Sequence, residues 1–365
     1  MGNENENLQE APVIGAEQIA LLERLSNASG VSGDEGEVRA IVLEQLKPFA
    51  DEIKVDALGN VLVTRKAKVE QHVRVMMAAH MDEVGFMLVD SDDNGTFSFE
   101  TVGGIDARSL VGKPVLIGKD HVPGVIGAKP IHLTEEGETE RKIPLDALRI
   151  DVGPGGKNKV KVGDRACYAT RFEQIGPSLR GKALDNRLGV ATLIELARHA
   201  PENIELQLAF TTQEEVGARG ARVAAYAFNP DMAIAVDSTP AYDLPVWDGS
   251  ENAFYNTRLD AGPAIYIHDS GTLSDPRLIR HLAETGDALG IPYQFRQPGG
   301  GGTDAGAIHR QRAGIPSVSV SIPGRYAHTA VLLCRLADWQ NTLALLHAAL
   351  VRINPDLLKR QPIQE

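Results

Sequence analysis

Apolar residues recur at helical spacing near both ends of the chain. Two amphipathic helices are predicted between Ala16 and Phe49, where Val38, Ile41, Val42 and Leu46 recur at helical spacing. A final helix is predicted from Ala337 to Ile353, where leucines repeat at the same spacing. The chain is therefore expected to begin and end with helices that each present one apolar face.

Strands and further helices are predicted between these ends. A largely apolar run bounded by polar residues predicts a buried strand at Val73–Ala79, and further strands are predicted at Glu205–Thr211, Met232–Val236 and Ile315–Val320. Helical patterns cover Leu188–His199, Ala218–Phe228 and a segment from a capping Ser274 to Leu289. An alternating stretch over 52–65, broken at Leu58-Gly59-Asn60, predicts a β-hairpin. Strands that alternate with helices favour an α/β sheet with helices on both faces.

The pattern changes in the middle of the chain. Between Gly85 and Phe172, short β-rich runs are separated by glycine, aspartate and proline, for example at Gly112–Ile117, Gly124–Ala128 and Lys159–Cys167. We interpret residues 85–172 as an inserted all-β domain. The remaining domain is then discontinuous and consists of residues 1–84 and 173–365.

Composition excludes several classes of protein. The 365 residues are 43% hydrophobic, which is enough to build a core. A net charge of −12 argues against nucleic acid as the main partner, because phosphate binding needs clustered lysine and arginine. Two cysteines, Cys167 and Cys334, give no disulfide framework. The start of the chain has no apolar signal region, and no run is long enough to span a membrane, so we expect a cytoplasmic protein.

Polar side chains with metal-binding chemistry follow the predicted strands or precede a predicted helix. They are His80 and Asp82, Asp185, Glu214 and Glu215, Asp237, and His328. The carboxyl ends of strands are where open α/β sheets bind ligands, so these groups are expected to converge. Carboxylates and imidazoles suit zinc, cobalt or manganese, and two metals that share a bridging carboxylate are common in hydrolases.

Each position also has a simpler structural explanation. Asp185 stands where a helix N-cap is expected, and His80 is compatible with an ordinary surface histidine. Glu214 and Glu215 are compatible with a solvated turn, although adjacent carboxylates at the end of a buried strand repel each other unless a cation or a shared proton intervenes. Because all these groups lie at the ends of predicted strands or at the start of a predicted helix, a shared metal site explains them better than coincidence.

Five motifs in order resemble one known family. They are His80-Met-Asp82-Glu-Val-Gly, Gly181-Lys-Ala-Leu-Asp185-Asn-Arg187, Gln213-Glu214-Glu215-Val-Gly, Val236-Asp237-Ser and Arg325-Tyr-Ala-His328. Together they are similar to the signature of the tetrahedral aminopeptidases, which include glutamyl and deblocking aminopeptidases and some members labelled endoglucanase. The resemblance implies a mixed-sheet, zinc-exopeptidase-like α/β domain, interrupted by a β-barrel-like dimerisation domain. It also implies dimers that assemble into a dodecamer.

The resemblance further implies a role for each candidate residue in the release of N-terminal residues from short peptides. His80 and Asp237 would hold one metal ion, Glu215 and His328 the other, and Asp185 would bridge the two. Asp82 would orient His80. The two ions would lower the pKa of a shared water molecule, while Glu214 would accept its proton and return it to the leaving amine. Asn186 is a departure, because many relatives have aspartate there.

Three other functions compete with this one. A related two-metal enzyme that cleaves an N-acyl or other amide bond is the main alternative. An endoglucanase would need a carboxylate pair and an aromatic cleft, whereas aromatic residues make up only 5% of this chain. An inactive assembly protein would be expected to lack Glu214 or Asp185, and both are present.

The glycine-rich run Gly299–Asp304 is predicted to line the substrate cleft. The preferred N-terminal residue and the choice of metal stay open.

Overall fold

The computed structural model describes residues 12–92, 94–244, 248 and 257–359. Its strands are β1 Glu52–Val55, β2 Val61–Arg65, β3 Val73–His80, β4 Gly85–Ser91, β5 Thr96–Val102, β6 Pro114–Ile117, β7 Val122–Gly127, β8 Arg149–Asp151, β9 Arg165–Tyr168, β10 Glu173–Ile175, β11 Ser178–Gly181, β12 Ile204–Thr211, β13 Met232–Pro240, β14 Ala264–Tyr266, β15 Gln294–Arg296, β16 Ser317–Arg325 and β17 Leu332–Arg335. Its helices are α1 Ala16–Asn27, α2 Gly36–Leu46, α3 Leu184–Arg198, α4 Arg219–Phe228, α5 Pro276–Leu289, α6 Asp304–Ile308 and α7 Leu336–Val351. Among the described residues, no helix combines the length and the apolar character needed to cross a bilayer.

An open mixed sheet forms the larger body. Its strand order is β1-β2-β12-β3-β13-β16-β17-β11-β10, and β14 and β15 are attached beside β16. The four central strands β12, β3, β13 and β16 are parallel to one another, whereas the flanking strands pair antiparallel. The four parallel strands therefore end at the same edge of the sheet, as expected for a ligand site in an α/β fold.

Helices cover both faces of this sheet, as predicted. Alternating residues of β3 explain why: Val75 and Met77 point into a core shared with α1, α2, α3 and α7, while Met76 and Ala78 face a smaller core under α4 and α6. All four side chains are fully buried. A strand that is apolar on both faces belongs in the middle of a sheet covered on both sides, which matches the continuous apolar run in the sequence.

A closed antiparallel barrel forms the second body, in the strand order β4-β5-β8-β7-β6-β9. Its core contains Phe86, which packs edge-to-face against Phe99 and Tyr168 at centroid distances of 5.2 and 5.3 Å. All six barrel strands lie between Gly85 and Tyr168, after β3 and before β10. The mixed sheet and the barrel confirm the predicted fold class, while the exact domain boundaries stay a prediction.

Two local predictions were wrong, and turn chemistry explains both. The strand predicted from Lys159 begins only at Arg165, because a turn closes ahead of it: the amide of Lys161 donates to the carboxylate of Asp164 at 3.0 Å, and Gly163 has a φ of +94°. The cap of α5 is Asp275 rather than Ser274, since the carboxylate of Asp275 accepts from the amide of Arg277, the second residue of the helix, at 2.9 Å.

Candidate metal centre

The parallel strands bring the predicted site residues to one cavity. His80 is the last residue of β3, and Asp237 lies on β13. Glu214 and Glu215 follow the end of β12, where Thr211 pairs in register with His80. Asp185 enters from the start of α3, and His328 from the turn between β16 and β17. These six side chains line a cavity of about 680 Å³.

The two ring nitrogens of His80 face different partners. Nε2 lies 3.3 Å from Oδ1 of Asp185 and 3.4 Å from Oδ1 of Asp237. Nδ1 lies 3.2 Å from the carbonyl oxygen of Asp82 and 3.5 Å from its Oδ1. Both ring nitrogens face acceptors, so a cation among the carboxylates at Nε2 would leave the ring proton on Nδ1, where the oxygens of Asp82 accept it.

His328 is arranged in the same way on the opposite side of Asp185. Its Nδ1 lies 2.9 Å from the carbonyl oxygen of Gly104, to which it donates. Its Nε2 lies 3.4 Å from Oε2 of Glu215 and 3.7 Å from Oδ2 of Asp185. The two carboxylate oxygens of Asp185 therefore face two different histidines.

Asp82 lies behind the cavity and does not line it. Its fully buried carboxylate accepts from the hydroxyl of Ser32 at 2.6 Å and from the backbone amides of Glu214 and Glu215 at 3.0 and 3.1 Å. Burial raises the pKa of Asp82, but contact with His80 and these donors outweighs it, and the net shift is downward. One ionised carboxylate thus connects His80 to the segment that carries both glutamates.

The cluster as a whole carries more negative charge than its histidines neutralise. Burial, together with neighbouring carboxylates, raises the pKa of Glu215 to about 8 and that of Glu214 well above its ordinary value. Burial also raises the pKa of Asp237. Burial lowers the pKa of His80, but Asp237, Asp185 and Asp82 outweigh it, so the net shift is upward. A divalent cation would remove this conflict, because it lets the carboxylates ionise while buried.

The donor set fits such a cation. Ligand atoms of His80, Asp185 and Glu215 lie within 4.8 Å of one another, and imidazole nitrogen with carboxylate oxygen is the set that zinc and cobalt accept. Asp237 and His328 extend this group on its two sides, through their contacts with His80 and Asp185 respectively. All five predicted metal ligands are thereby brought together.

Asn186, rather than Asp185, takes the capping role that the sequence allowed for Asp185. Its Oδ1 accepts from the amide of Gly189 at 3.0 Å, and its Nδ2 donates to the carbonyl of Val236 at 2.7 Å. Asp185 itself has non-helical backbone angles. The second bond needs a donor, which an ionised aspartate could not provide. Asn186, at a position where many relatives have aspartate, therefore has a structural role in this chain.

A buried ion network supports the loop after β3. Lys182 donates to both carboxylate oxygens of Glu83 at 2.5 and 2.7 Å and to the carbonyl of Ala28 at 2.8 Å. Arg187, which is fully buried, donates to Glu83 and to the carbonyl oxygens of Met81 and Asp82. Sequence analysis grouped Lys182 and Arg187 with the Asp185 motif but gave them no role.

Two further buried groups near the cluster have no individual role in the sequence analysis. Asp304, the first residue of α6, accepts from the hydroxyl of Thr211 at 2.5 Å, and burial raises its pKa to about 7. Ser32, the donor to Asp82, lies in the turn before α2. In the sequence, Asp304 is marked only by the glycine-rich run that precedes it. Gly300, Gly301 and Gly302 of that run line the cavity. His132, which received no role, is exposed in a short 3-10 turn.

Comparisons with known proteins identify similar aminopeptidases. A family model described as M42 glutamyl aminopeptidase matches residues 59–345. The chain is 31% identical to the lysyl aminopeptidase of Pyrococcus furiosus, over 92% of this chain and 97% of the relative. It is 30% identical to the glutamyl aminopeptidase of Lactococcus lactis, over 91% and 95%.

Solved structures show the same fold. The TET aminopeptidase of a Thaumarchaeota archaeon from marine sediment superposes with a TM-score of 0.88 at 33% identity, over 93% of this chain and 98% of that one. A structure of PhTET1-12s, described as a dodecamer, superposes with a TM-score of 0.79 at 31% identity, over 92% and 99%. The similarity spans both the sheet and the barrel.

Proposed function

This chain belongs to the M42 glutamyl aminopeptidase family and is a peptide-bond hydrolase; from that premise we propose that it uses two divalent metal ions to release N-terminal residues from short peptides. The observation that carries the proposal is the position of Asp185, whose two oxygens face His80 on one side and His328 on the other. A carboxylate placed in this way suits a bridge between two ions.

Five side chains would hold the ions. His80 and Asp237 would bind one, Glu215 and His328 the other, and Asp185 both. When bound, two divalent ions would polarise the scissile carbonyl, lower the pKa of the attacking water and bind the free amino group of the substrate. The ligand types agree with zinc, cobalt or manganese, and we propose zinc or cobalt first.

Glu214 is the proposed general base. It lines the cavity beside the ligands, and its own backbone amide is fixed by Asp82. The ordinary pKa of its carboxyl is raised by burial and by Asp237, Asp304 and Glu215. A carboxylate with a raised pKa accepts a proton readily and can return it to the departing amine, which needs one to leave as a neutral group.

Asp82 is proposed as a positioning residue. It contacts Nδ1 of His80 and fixes the backbone amides of both glutamates. It would thus fix the relative positions of His80, a ligand of one ion, Glu215, a ligand of the other, and the general base Glu214. Outer partners of this kind commonly tune metal affinity.

A substrate panel with matched variants tests the function. Metal-free protein would be reloaded with cobalt or zinc and assayed on aminoacyl-p-nitroanilides and their N-acetylated forms, alongside Glu214→Gln. We expect metal-dependent release from free-amine substrates only, and loss of that release in Glu214→Gln with metal content retained. Equal activity on acetylated substrates would favour an N-acyl amide hydrolase, and no release with any metal would refute both.

We also propose that the barrel mediates dimers that assemble into a dodecamer in a reducing, cytoplasmic compartment. Apolar side chains of the barrel segment are exposed in the single chain, among them Ile131, Leu133 and Val111. Both cysteines are buried and unpaired, which agrees with reducing conditions. Sedimentation velocity of the purified chain should give a dodecamer, whereas a monomer across the micromolar range would contradict the proposal.

A further inference from the structure

Arg296 is a buried cation on the wall of the proposed active-site cavity. It ends β15, only 4% of its surface is exposed, and it lines the same cavity as His80 and Asp237. Its Nε donates to the hydroxyl of Thr239 at 3.1 Å, and one terminal nitrogen, Nη2, donates to the carbonyl of Gly300 at 2.6 Å. The other terminal nitrogen, Nη1, is buried and has no hydrogen-bond partner among the described residues.

The charge of Arg296 also lacks a counter-ion. An arginine guanidinium stays ionised in proteins, and leaving a buried charge unpaired is costly. Among the residues that the structure describes, no carboxylate lies within ion-pair distance of it. Tyr266 stacks on the guanidinium at 4.4 Å, but burial raises the pKa of Tyr266 to about 12, so its phenol is neutral. A bound anion in the cavity that Arg296 lines would satisfy this charge.

The anchor of Arg296 lies close to the metal ligands. Thr239, its hydrogen-bond partner, is two residues beyond Asp237 on β13. Residues two apart on a strand point to the same face and are separated by roughly 7 Å. The anchor of Arg296 is therefore about two residues' length, roughly 7 Å, from a proposed metal ligand, and Arg296 itself lies on the wall of the same cavity.

We propose that Arg296 binds a carboxylate of the substrate next to the scissile bond and thereby determines specificity. The inference rests on the proposed aminopeptidase function. Such a carboxylate has two sources: the side chain of an acidic first residue, or the free C-terminus of a dipeptide. The relatives are named for lysyl and glutamyl substrates, so family membership alone does not fix the preference.

Arg310 is the other arginine that lines this cavity. It is exposed, and its Nε donates to the carbonyl of Gly306 at 2.8 Å. Its charge can be solvated without a ligand, so we assign no specificity role to it. Arg310→Gln is consequently a matched comparison for Arg296→Gln, with the same chemical change on the same cavity.

Two isosteric substrate pairs separate the two sources. Glu-p-nitroanilide and Gln-p-nitroanilide differ only in a side-chain carboxylate, and Leu-Gly and Leu-glycinamide differ only in the terminal one. We expect the wild type to prefer the charged member of at least one pair. Arg296→Gln should lower kcat/KM for that member about 10- to 100-fold, as expected for loss of charge-assisted hydrogen bonds, while the neutral member keeps its rate. Arg296→Lys should fall between the two.

The pair that loses its preference identifies the source of the carboxylate. The inference would be overturned if the wild type shows no preference in either pair, or if Arg296→Gln loses kcat/KM equally on all four substrates. It would also be overturned if Arg310→Gln, and not Arg296→Gln, loses the preference. Hydrolysis of the neutral substrates would leave the aminopeptidase proposal intact in each case.

Binding measurements keep the inference testable if no hydrolysis is found. Calorimetry on metal-loaded Glu214→Gln would compare glutamic acid α-amide with glutamine α-amide, and Leu-Gly with Leu-glycinamide. Tighter binding of a charged member, abolished by adding Arg296→Gln, supports the inference independently of turnover. Equal binding within both pairs refutes it.

Discussion

Replacement of Asp82 by asparagine tests whether this residue positions the metal ligands. Asparagine keeps the shape of the side chain but replaces one acceptor oxygen with an NH₂ group. In the structure Oδ1 accepts from the amide of Glu214, and Oδ2 accepts from the amide of Glu215 and the hydroxyl of Ser32. Either orientation of the asparagine amide therefore places its NH₂ against a buried backbone N–H and leaves that donor unpaired.

The expected magnitudes follow from this geometry. One unpaired buried donor costs about 1–3 kcal/mol, so the free energy of unfolding of the metal-free variant should be lower by that amount. Its urea midpoint should fall accordingly. An NH₂ group facing Nδ1 of His80 would also favour the tautomer with the proton on Nε2, which is the nitrogen proposed to bind metal. Loss of such an outer partner lowers metal affinity by about 10- to 100-fold in characterised sites.

Ser32→Ala supplies the matched control. It removes one donor to Asp82 but leaves both backbone amides with their acceptor. Competition with a chromophoric chelator would give the metal affinity, and urea unfolding the stability. We expect Asp82→Asn to lose affinity and Ser32→Ala to retain most of it. Wild-type affinity in Asp82→Asn, or an equal loss in both variants, would show that Asp82 has only a structural role.

Two further predictions concern buried charge. Burial raises the pKa of Glu215 to about 8 and that of Asp304 to about 7 in the metal-free chain, so both bind protons more tightly when folded than unfolded. The stabilisation that proton binding to these two groups provides is complete below about pH 4 and is lost as the pH rises to about 8. Urea unfolding from pH 5 to pH 8 should therefore show that the metal-free protein becomes less stable and that the stability gained on adding zinc increases. A metal-free stability that does not change over this range would contradict the prediction. Lys182→Met leaves Glu83 with one fewer buried cation, and breaking such a pair costs about 3–5 kcal/mol. A loss of less than about 1 kcal/mol in urea unfolding would show that Arg187 alone satisfies Glu83.

The sheet and the places of the site residues could be predicted because strand ends were visible in the sequence. The apolar run before His80 and the one before Asp237 end at the residues that enter the cavity, and parallel strands must end at one edge. Asp304 and Arg296 could not be found in this way. Each depends on a tertiary contact, with Thr211 and Thr239 respectively, that has no local pattern.

Turn chemistry limited the remaining predictions. Acidic residues beside glycine or proline both close turns and cap helices, so sequence alone could not decide between Ser274 and Asp275 as the cap of α5. The same ambiguity applied to Asp185. The structure separates two adjacent roles there: Asn186 bonds the helix amide and the end of β13, which leaves the carboxylate of Asp185 for the cavity.

The barrel contributes directly to the proposed metal centre, although the sequence indicated only a separate insert. The carbonyl of Gly104, just after β5, accepts from Nδ1 of His328 and so fixes which nitrogen faces Glu215. The preceding Gly103 has a φ of +88°, and a Cβ there would lie 2.8 Å from Val84 and 3.3 Å from Glu215. Only glycine therefore allows this backbone to approach the site so closely. Any movement of the barrel relative to the sheet would displace a hydrogen-bond partner of His328, which couples the proposed assembly domain to the proposed chemistry through one carbonyl group.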